Sequence, residues 1–328
     1  MDSFIFAVNA VLPIIIMVII GYLLKRLGFV DHKMSKVLNK LTFRLFLPSM
    51  LFLNVYNIES ITNINFFYIF YIVVFIAIIF LAFLILILLF TKNNGHRGVL
   101  LQASFRSNYA LIGIPLAQSL FGEKGVIAAS VLSAFSIPLY NILAVISLSL
   151  FNNTKKKTNV KNILLDIVKN PLIQSIVLGI LFLVIRYFFV KNSITFRISD
   201  VTPLFTVLKY LSSVATPISL IALGAQFEFS AIKELKREII FGTITRTITV
   251  PVIAIGCALL LFPTKFSGEH YASFVALFAT PVAVSSVPMT QEMSGDETLA
   301  GQLVVWTTIV SAFTIFAFSF FLRYIGIF

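Results

Sequence analysis

The most constraining feature of this chain is a run of 25 residues, from Phe66 to Phe90, without a single charged side chain. As an α-helix, this run is long enough to cross a hydrocarbon core of roughly 30 Å. Because hydrocarbon offers no hydrogen-bond partners, a spanning segment must bond its own backbone, so the run predicts a transmembrane helix. Only 12% of the whole chain is charged, against about 25% in soluble domains, which excludes a soluble globular protein.

Similar apolar runs recur along the chain and predict ten transmembrane spans. They lie near residues 4–24, 36–57, 66–91, 98–120, 124–151, 163–189, 201–226, 238–262, 270–292 and 298–326. The fourth and ninth spans are less apolar than the others and are interrupted by proline. The expected fold is therefore an all-α polytopic membrane protein of ten transmembrane helices, in which helices 4 and 9 are broken.

The chain also repeats itself, because one stretch aligns with a later stretch at a fixed offset of 173. The identical pairs, without a gap, are Thr91/Thr264, Lys92/Lys265, Gly95/Gly268, Ala103/Ala276, Phe105/Phe278, Ala110/Ala283, Pro115/Pro288, Gln118/Gln291 and Gly122/Gly295. Weaker matches upstream are Pro13/Pro171, Gly21/Gly179 and Pro48/Pro217. In so apolar a chain, a repeat with Gly- and Pro-interrupted segments at matching positions is typical of secondary transporters.

Each repeat contains five spans, which is an odd number. The second repeat must then enter the membrane in the opposite sense from the first, so the two repeats are predicted to be inverted. Residues 1–151 form the first five-helix repeat and residues 163–328 the second. The joint between them, residues 152–162, reads NNTKKKTNVKN and is predicted to be a short basic cytoplasmic linker.

Basic residues are divided unequally between the two sets of loops. Fifteen Lys and Arg residues lie in the loops that follow spans 1, 3, 5 and 7, and five lie on the opposite side. The positive-inside rule then places both termini on the non-cytoplasmic side of the cell membrane. The net charge of +12 therefore indicates topology within a lipid bilayer and not a nucleic-acid partner.

The two broken spans carry the candidate substrate site. Their distinctive residues are Arg106, Asn108, Pro115, Pro281, Ser285, Ser286 and Pro288. Proline lacks an N–H and clashes with the preceding turn, so both helices are expected to break, which membranes tolerate where the backbone is buried in protein or lines a wet cavity. Two breaks at equivalent repeat positions predict a crossing whose half-helix N-termini favour a carboxylate. Kinks that only shape helix packing are the alternative.

Arg106 is the residue of this set that points most strongly to a function. A charge near mid-membrane costs at least about 2.5 kcal/mol, so it needs a partner or a function. Its guanidinium is expected either to pair with an anionic substrate, to form a structural ion pair, or to snorkel towards the interface. For Arg44 and Arg246, which lie nearer span ends, snorkelling or structural pairing is the preferred interpretation.

Three amide residues complete the candidate site. Gln118 and its repeat mate Gln291 are expected to cap half-helices or line a vestibule, with packing as the equal alternative. Asn141 lies mid-span among apolar residues, where a polar group usually bonds to another helix. The chain shows no nucleophile–base pair, no phosphate-binding loop, no dinucleotide-binding glycine pattern and no metal-ligand spacing. It is therefore predicted to have no enzymatic activity, no cofactor and no metal site.

Several segments resemble the auxin efflux carrier family, which includes the plant auxin exporters and bacterial permeases described for malate and malonate. They are LPIIIMVIIGYLLKRLGFVD, LPSMLFLNVY, SFRSNYALIGIPLAQSLFG, TPISLIALGAQF and PVAVSSVPMTQEMSGDETLAGQLVVWTTIVS. The resemblance covers nearly the whole chain, and its most specific element is the spacing from Asn108 to Pro115. The long central loop of the plant exporters is absent, and Arg106 is not part of their pattern, so auxin itself is a poor candidate for the substrate.

The resemblance implies an architecture and a mechanism. Spans 1, 2, 6 and 7 would form a scaffold domain and spans 3–5 and 8–10 a transport domain. The crossing of helices 4 and 9, at Asn108 with Pro115 and at Pro281 or Pro288, would bind an organic anion that is moved by an elevator-type motion. A homodimer through the scaffold domain is also implied.

Three functions remain open from the sequence. The leading one is a secondary transporter of small organic anions, in particular carboxylates. A sodium-coupled symporter is an alternative, for which Gln118, Gln291 and Glu292 are the only suggestive oxygen ligands. A membrane sensor that binds an anion without transporting it is the third, and an intramembrane enzyme is the least favoured.

Overall fold

The protein is all-helical in the computed structural model, which describes residues 2–57, 65–152 and 160–328. In the first half the helices are α1 (Asp2–Arg26), α2 (His32–Leu41), α3 (Leu47–Tyr56), α4 (Phe66–Phe90), α5 (Asn94–Phe105) and α6 (Ile114–Leu150). In the second half they are α7 (Val160–Lys169), α8 (Pro171–Lys191), α9 (Thr202–Gln226), α10 (Ala231–Glu234), α11 (Lys236–Ile244), α12 (Val250–Leu261), α13 (Gly268–Phe278), α14 (Ser286–Glu292) and α15 (Glu297–Tyr324), with a short 3₁₀ turn at Ile198–Asp200. The prediction of an all-α membrane protein is confirmed.

Six helical stretches of the described residues are long and apolar enough to cross a membrane. They are Phe66–Phe90, Tyr109–Leu150, Pro171–Lys191, Thr202–Gln226, Lys236–Leu261 and Glu297–Tyr324. Large apolar side chains on them face outwards, and Leu89 and Leu260 are each 82% exposed, as expected for lipid contact. The layout of ten helices in two inverted repeats stays a prediction, and most of the predicted linker, residues 153–159, lies outside the described residues.

One predicted boundary agrees with the structure and one differs. Helix α6 is interrupted at Phe121 and Gly122, whose backbone angles are not helical, and this break falls between the predicted end of span 4 at residue 120 and the predicted start of span 5 at residue 124. Gly122 has a φ of 60°, which glycine adopts without the steric cost that a side chain would bring. Span 6 is preceded by the separate helix α7, because Pro171 starts α8 and the Asn170 side chain caps it by accepting from the Leu172 N–H at 2.9 Å.

The described part of the chain contains three π-helical segments, and a proline lies two positions after the end of each one. They are Thr42–Phe46 before Pro48, Tyr109–Gly113 before Pro115, and Thr245–Thr249 before Pro251. A proline in a helix clashes with the carbonyl four residues earlier and offers it no N–H. A wider turn relieves that clash, and such π turns are frequent at functional sites.

Repeat-equivalent glycines lie at two close helix contacts. Gly21 brings α1 against α9, where an added Cβ would lie only 2.2 Å from the Ile221 carbonyl oxygen. Its repeat mate Gly179 brings α8 against α3, where a Cβ would lie 2.9 Å from Val55 Cβ. Small residues of this kind let membrane helices approach closely. Helices α1, α2, α3, α8 and α9 thereby pack as one group, here called the first group.

The remaining long helices pack around α13, which is buried along its length. Within this second group α13 lies against α6 and α12, and α5 lies against α4, α6 and α11. Helix α15 contacts both groups, and an apolar groove of about 210 Å³ separates it from α1. Trp306, the only tryptophan of the chain, lines this groove and donates from Nε1 to Gln302 Oε1 at 3.2 Å.

Candidate functional site

Two broken helices cross at the centre of the second group. Helix α5 ends at Phe105 and helix α13 ends at Phe278, and the chain is unwound after each. The unwound segments pair as a short antiparallel bridge between Ser107 and Val282. The Asn108 N–H donates to the Pro281 carbonyl at 2.8 Å, and the Ala283 N–H donates to the Arg106 carbonyl at 3.2 Å.

The crossing satisfies backbone groups that the breaks set free. Asn108 and Pro281 are repeat mates at the offset of 173, so the two repeats meet at their own equivalent positions. Proline at 281 contributes only a carbonyl, and that carbonyl accepts from Asn108. The Val282 N–H instead donates to the Thr307 hydroxyl on α15 at 3.1 Å. Unwound backbone at this depth is therefore bonded, as a membrane interior requires.

Arg106 lies in this unwound segment with its guanidinium buried, at 3% exposure. Nη2 donates to Asn141 Oδ1 at 2.9 Å and to Ser285 Oγ at 3.0 Å. Nη1 donates to Gln102 Oε1 at 3.3 Å and to the sulfur of Met289 at 3.0 Å. Arg106 does not snorkel, because its partners lie inside the second group.

The charge of Arg106 has no acidic partner. Among residues 2–57, 65–152 and 160–328, its guanidinium forms none of the ion pairs within 4.0 Å. Asn141 is held with its oxygen towards Arg106, because its Nδ2 donates to the Ile137 carbonyl at 2.8 Å. Neutral oxygens thus solvate the guanidinium while its positive charge stays uncompensated, which is costly in a low-dielectric interior.

A second arginine lies at the same crossing. Arg246, in the π-helical segment of the α11–α12 stretch, is 0% exposed. Nε donates to the Thr280 carbonyl at 2.9 Å, Nη2 to Leu277 at 2.8 Å, and Nη1 to Phe105 at 3.1 Å and Ser104 at 3.4 Å. Arg246 therefore joins the carbonyl ends of both half-helices. Of the two expectations for it, structural pairing describes this arrangement and snorkelling does not.

A cavity of about 150 Å³ lies between the crossing and the first group. Its polar lining comes from Asn54 on α3, Thr216 and Ser219 on α9, and Asn108 and Ser285 at the crossing. Ser285 lines the cavity, and its hydroxyl also accepts from Arg106. The Ser285 hydroxyl therefore connects the guanidinium to the cavity.

Asn108 and the start of the following helix both line this cavity. Asn108 is 8% exposed, and its Nδ2 has no hydrogen-bond partner in the described part of the chain. The helical stretch that starts at Tyr109 presents Ala110 and Leu111 to the cavity, and first-turn N–H groups lack intrahelical partners. Asn108 and the positive end of a half-helix thus line the same space, where an anion is favoured.

The other predicted site residues lie elsewhere. Gln118 and Pro115 are exposed on α6, and Pro288 is buried within α14. Ser286 is 1% exposed, and among the described residues its hydroxyl has no partner. Gln291 belongs to a network of amides, in which Asn39 Nδ2 donates to Gln291 Oε1 and to Gln226 Oε1, each at 3.0 Å.

That network lies at the end of the bundle where α1 ends and α15 begins, here called the basic end. Two ion pairs join the groups there: Lys36 Nζ lies 3.0 Å from Glu297 Oε1, and Arg44 Nε lies 3.3 Å from Glu292 Oε2. Asn39 lies in this network and Asn54 lines the cavity, and the two are fifteen positions apart along the helical α2–α3 segment. At 1.5 Å per residue, the network and the cavity are therefore roughly 22 Å apart along the helix axis. Polar contacts therefore join α2 and the π-helical turn after it to α14 and α15 at the basic end, away from the cavity.

His96 also lies at the basic end, outside the membrane-spanning stretches. Its Nε2 lies 3.1 Å from Asp296 Oδ2 and its Nδ1 3.4 Å from Glu238 Oε1. The hydrogen bond with the Asp296 carboxylate raises the pKa of His96 above its usual value, against the opposing effect of burial. Burial acts to raise the pKa of Asp296, but hydrogen bonds from His96 and the Leu299 N–H hold it below its usual value. His96 therefore lies between two carboxylates and joins α5, α11 and the start of α15.

Sequence comparison assigns the family. The membrane transport protein family, that of the auxin efflux carriers, matches the chain over residues 6–319. The chain belongs to this family. As a member of the auxin efflux carrier family it is a multi-pass membrane protein and a secondary transporter.

Two relatives of this auxin efflux carrier family member are uncharacterized transporters. One, from Methanocaldococcus jannaschii, is 27% identical over 252 residues, which cover 75% of this chain and 77% of the relative. The other, from Methanothermobacter thermautotrophicus, is 20% identical over 308 residues, which cover 92% of this chain and 94% of the relative. Both names support membrane transport, and neither names a substrate.

Sequence reasoning missed part of this family member's site. Thr216 and Ser219 line the cavity from α9, and the role of Arg246 as a clamp on carbonyls was not foreseen. A signal for Arg246 is present in the sequence: it stands among Thr245, Thr247 and Thr249 in an apolar span, directly before Pro251. A charged residue in a polar turn that ends at a proline indicates a side chain that is buried at a helix break.

Proposed function

We propose that this protein is a carrier of small organic anions, in particular carboxylates, and that the cavity at the helix crossing is its substrate site. The observation that carries the proposal is the uncompensated charge of Arg106 behind Ser285. A bound carboxylate would supply the missing negative charge. Asn108 Nδ2 and the N-terminal turn at Ala110 would add donors to its oxygens.

The size of the cavity supports a small substrate. At about 150 Å³ it is smaller than the roughly 300–1,000 Å³ pockets of drug-sized ligands. A cavity of that volume holds a benzene-sized molecule, with about six non-hydrogen atoms. Short mono- and dicarboxylates fit this limit.

The position of the cavity supports an elevator-type motion. Asn54 and Thr216 belong to the first group of helices, and Asn108 and Ser285 belong to the second. In the proposed mechanism the first group is the scaffold domain and the second, with α15, is the transport domain. Sliding of the transport domain along the scaffold would carry the crossing and its substrate across the membrane.

The contacts at the basic end support one state of such a cycle. If the excess of Lys and Arg marks the cytoplasmic side, both termini are outside, and the basic end faces the cytoplasm. The amides of Asn39, Gln226 and Gln291 and the two ion pairs then close the cavity towards the cytoplasm. Substrate release into the cell would require these contacts to separate.

A thermal-shift screen of the purified protein in detergent tests the proposal. Small mono- and dicarboxylates are expected to raise the melting temperature of the wild type, because a ligand that binds only the folded state stabilises it. Asn108→Ala is expected to abolish most of that rise. Gln118→Ala is the matched control, since Gln118 is an exposed amide on α6, and it should behave as wild type.

The same ligands are then assayed for flux in proteoliposomes. Uptake of the carboxylate that gives the shift is the expected result. Binding without flux would identify a sensor and overturn the carrier. The absence of a shift with every carboxylate would overturn the substrate class.

A further inference from the structure

The crossing contains a cage of backbone carbonyls with a cation inside it. The carbonyls of Ser104 and Phe105 end α5, that of Leu277 lies in the last turn of α13, and that of Thr280 lies in the unwound segment just after it. Each helix C-terminus carries a partial negative charge, so two negative ends converge on one point. The cation at that point is the guanidinium of Arg246.

Such cages have a general use in transporters. Unwound backbone and half-helix C-termini at a repeat crossing are the groups that coordinate sodium in carriers with inverted repeats. Hard monovalent cations take oxygen ligands, and carbonyl oxygens are among the groups that bind them. Here each of the four carbonyls accepts from the guanidinium at 2.8–3.4 Å.

We propose that Arg246 is a built-in cation that takes the place of a coupling ion. Its guanidinium fills a latent monovalent-cation site, so transport needs no sodium at this crossing. The coupling part of this inference rests on the proposed carrier function, whereas the cation cage itself does not.

The four neutral oxygens of the cage favour a cation with a single positive charge. Among residues 2–57, 65–152 and 160–328, no carboxylate forms an ion pair with Arg246. Sites for divalent cations such as calcium usually include carboxylates, whereas this cage offers four neutral oxygens. Removal of the guanidinium should therefore leave a site for a monovalent ion.

The experiment compares melting temperatures of wild type, Arg246→Lys and Arg246→Ala in sodium, potassium, guanidinium and choline chlorides at equal millimolar concentration. Wild type and Arg246→Lys keep a cation in the cage and should melt at the same temperature in sodium and in choline. Arg246→Ala should melt lower in choline and recover by a few degrees in sodium, potassium or guanidinium. Choline is too large for the cage and serves as the ionic-strength control.

Two results would overturn the inference. One is an Arg246→Ala protein that responds equally to choline and to the smaller cations, or that cannot be purified folded in any of them. The other, which needs only the wild type, is a melting temperature or carboxylate binding that depends on sodium. A carboxylate screen that fails while sodium restores Arg246→Ala would remove the proposed substrate and leave the cage in place.

Discussion

Two buried arginines lie at the same helix crossing and are solvated in different ways. Within the described residues, the guanidinium of Arg246 donates to backbone carbonyls at or just beyond helix ends, whereas the guanidinium of Arg106 donates to side-chain atoms. Arg246 is 0% exposed, and Arg106 touches Ser285, which lines the cavity.

The difference contrasts a rigid set of partners with an adjustable one. Backbone carbonyls at a helix end cannot turn away, so the need for Arg246 is permanent. The side chains around Arg106 can rotate, so its surroundings can adjust when a ligand arrives. A buried charge in a membrane therefore does not indicate one role, and the kind of oxygen that surrounds it is the better guide.

The largest expected effect tests this contrast through stability. Arg246→Gln should lower the free energy of unfolding by roughly 3–6 kcal/mol, because it leaves buried carbonyls unbonded at about 1–3 kcal/mol each. Arg106→Gln should cost roughly 1–3 kcal/mol, since Gln102 and Asn141 can find other partners. Denaturation of both variants in detergent measures the difference. Equal losses, or a greater loss for Arg106→Gln, would contradict the contrast.

A smaller effect is expected at the hydroxyl that links Arg106 to the cavity. Ser285→Ala removes the acceptor 3.0 Å from Arg106 Nη2. The same hydroxyl lines the cavity and can donate its proton to a bound carboxylate. Because a hydrogen bond to a charged group contributes about 1.5–3 kcal/mol, carboxylate affinity should fall about 10-fold or more. Titration of both proteins with the carboxylate that raises the melting temperature of the wild type measures this change in affinity.

The neighbouring hydroxyl supplies the control for that variant. Ser286 is equally small and more buried, and within the described residues its Oγ has no partner. Ser286→Ala should leave carboxylate affinity close to that of wild type. An equal loss in both variants would show that the effect comes from packing and not from the contact with Arg106.

The smallest effect concerns His96 at the basic end and the dependence of stability on pH. The folded-state pKa of His96 is raised by Asp296, so the stabilisation is complete below the unfolded value of about 6.5 and is lost as pH rises through the folded value. The melting temperature should therefore fall over that window in wild type. His96→Gln should flatten the dependence, and the exposed His32→Gln should not. An unchanged slope in His96→Gln would assign the titration to another group.

The fold was largely predictable because membrane helices follow local rules. Apolar runs such as Phe66–Phe90 indicate spans directly, and Pro115 and Pro281 mark the breaks. Gly122 marks the break between spans 4 and 5, because glycine adopts the positive φ found there without steric cost. Helix α7 was merged into the next span because its apolar residues continue up to Pro171.

The site was predictable only in part because it depends on pairing between distant segments. The repeat offset placed Asn108 opposite Pro281, and the structure joins them by a hydrogen bond. The offset also nominated Gln291, which instead bonds to Asn39 from a segment 252 positions away. Contacts of that kind, like those of Arg246 with two helix ends, follow from the tertiary arrangement and leave no spacing in the sequence.

The position of Trp306 gives the protein an optical sensor of its own. The only indole of the chain lines an apolar groove between α1 and α15, which belong to opposite sides of the proposed sliding boundary. Indole emission responds to the polarity around the ring, and no second tryptophan contributes background. A change in the relative position of these helices would therefore be readable in the unlabelled, unmodified carrier, in real time and in native lipid.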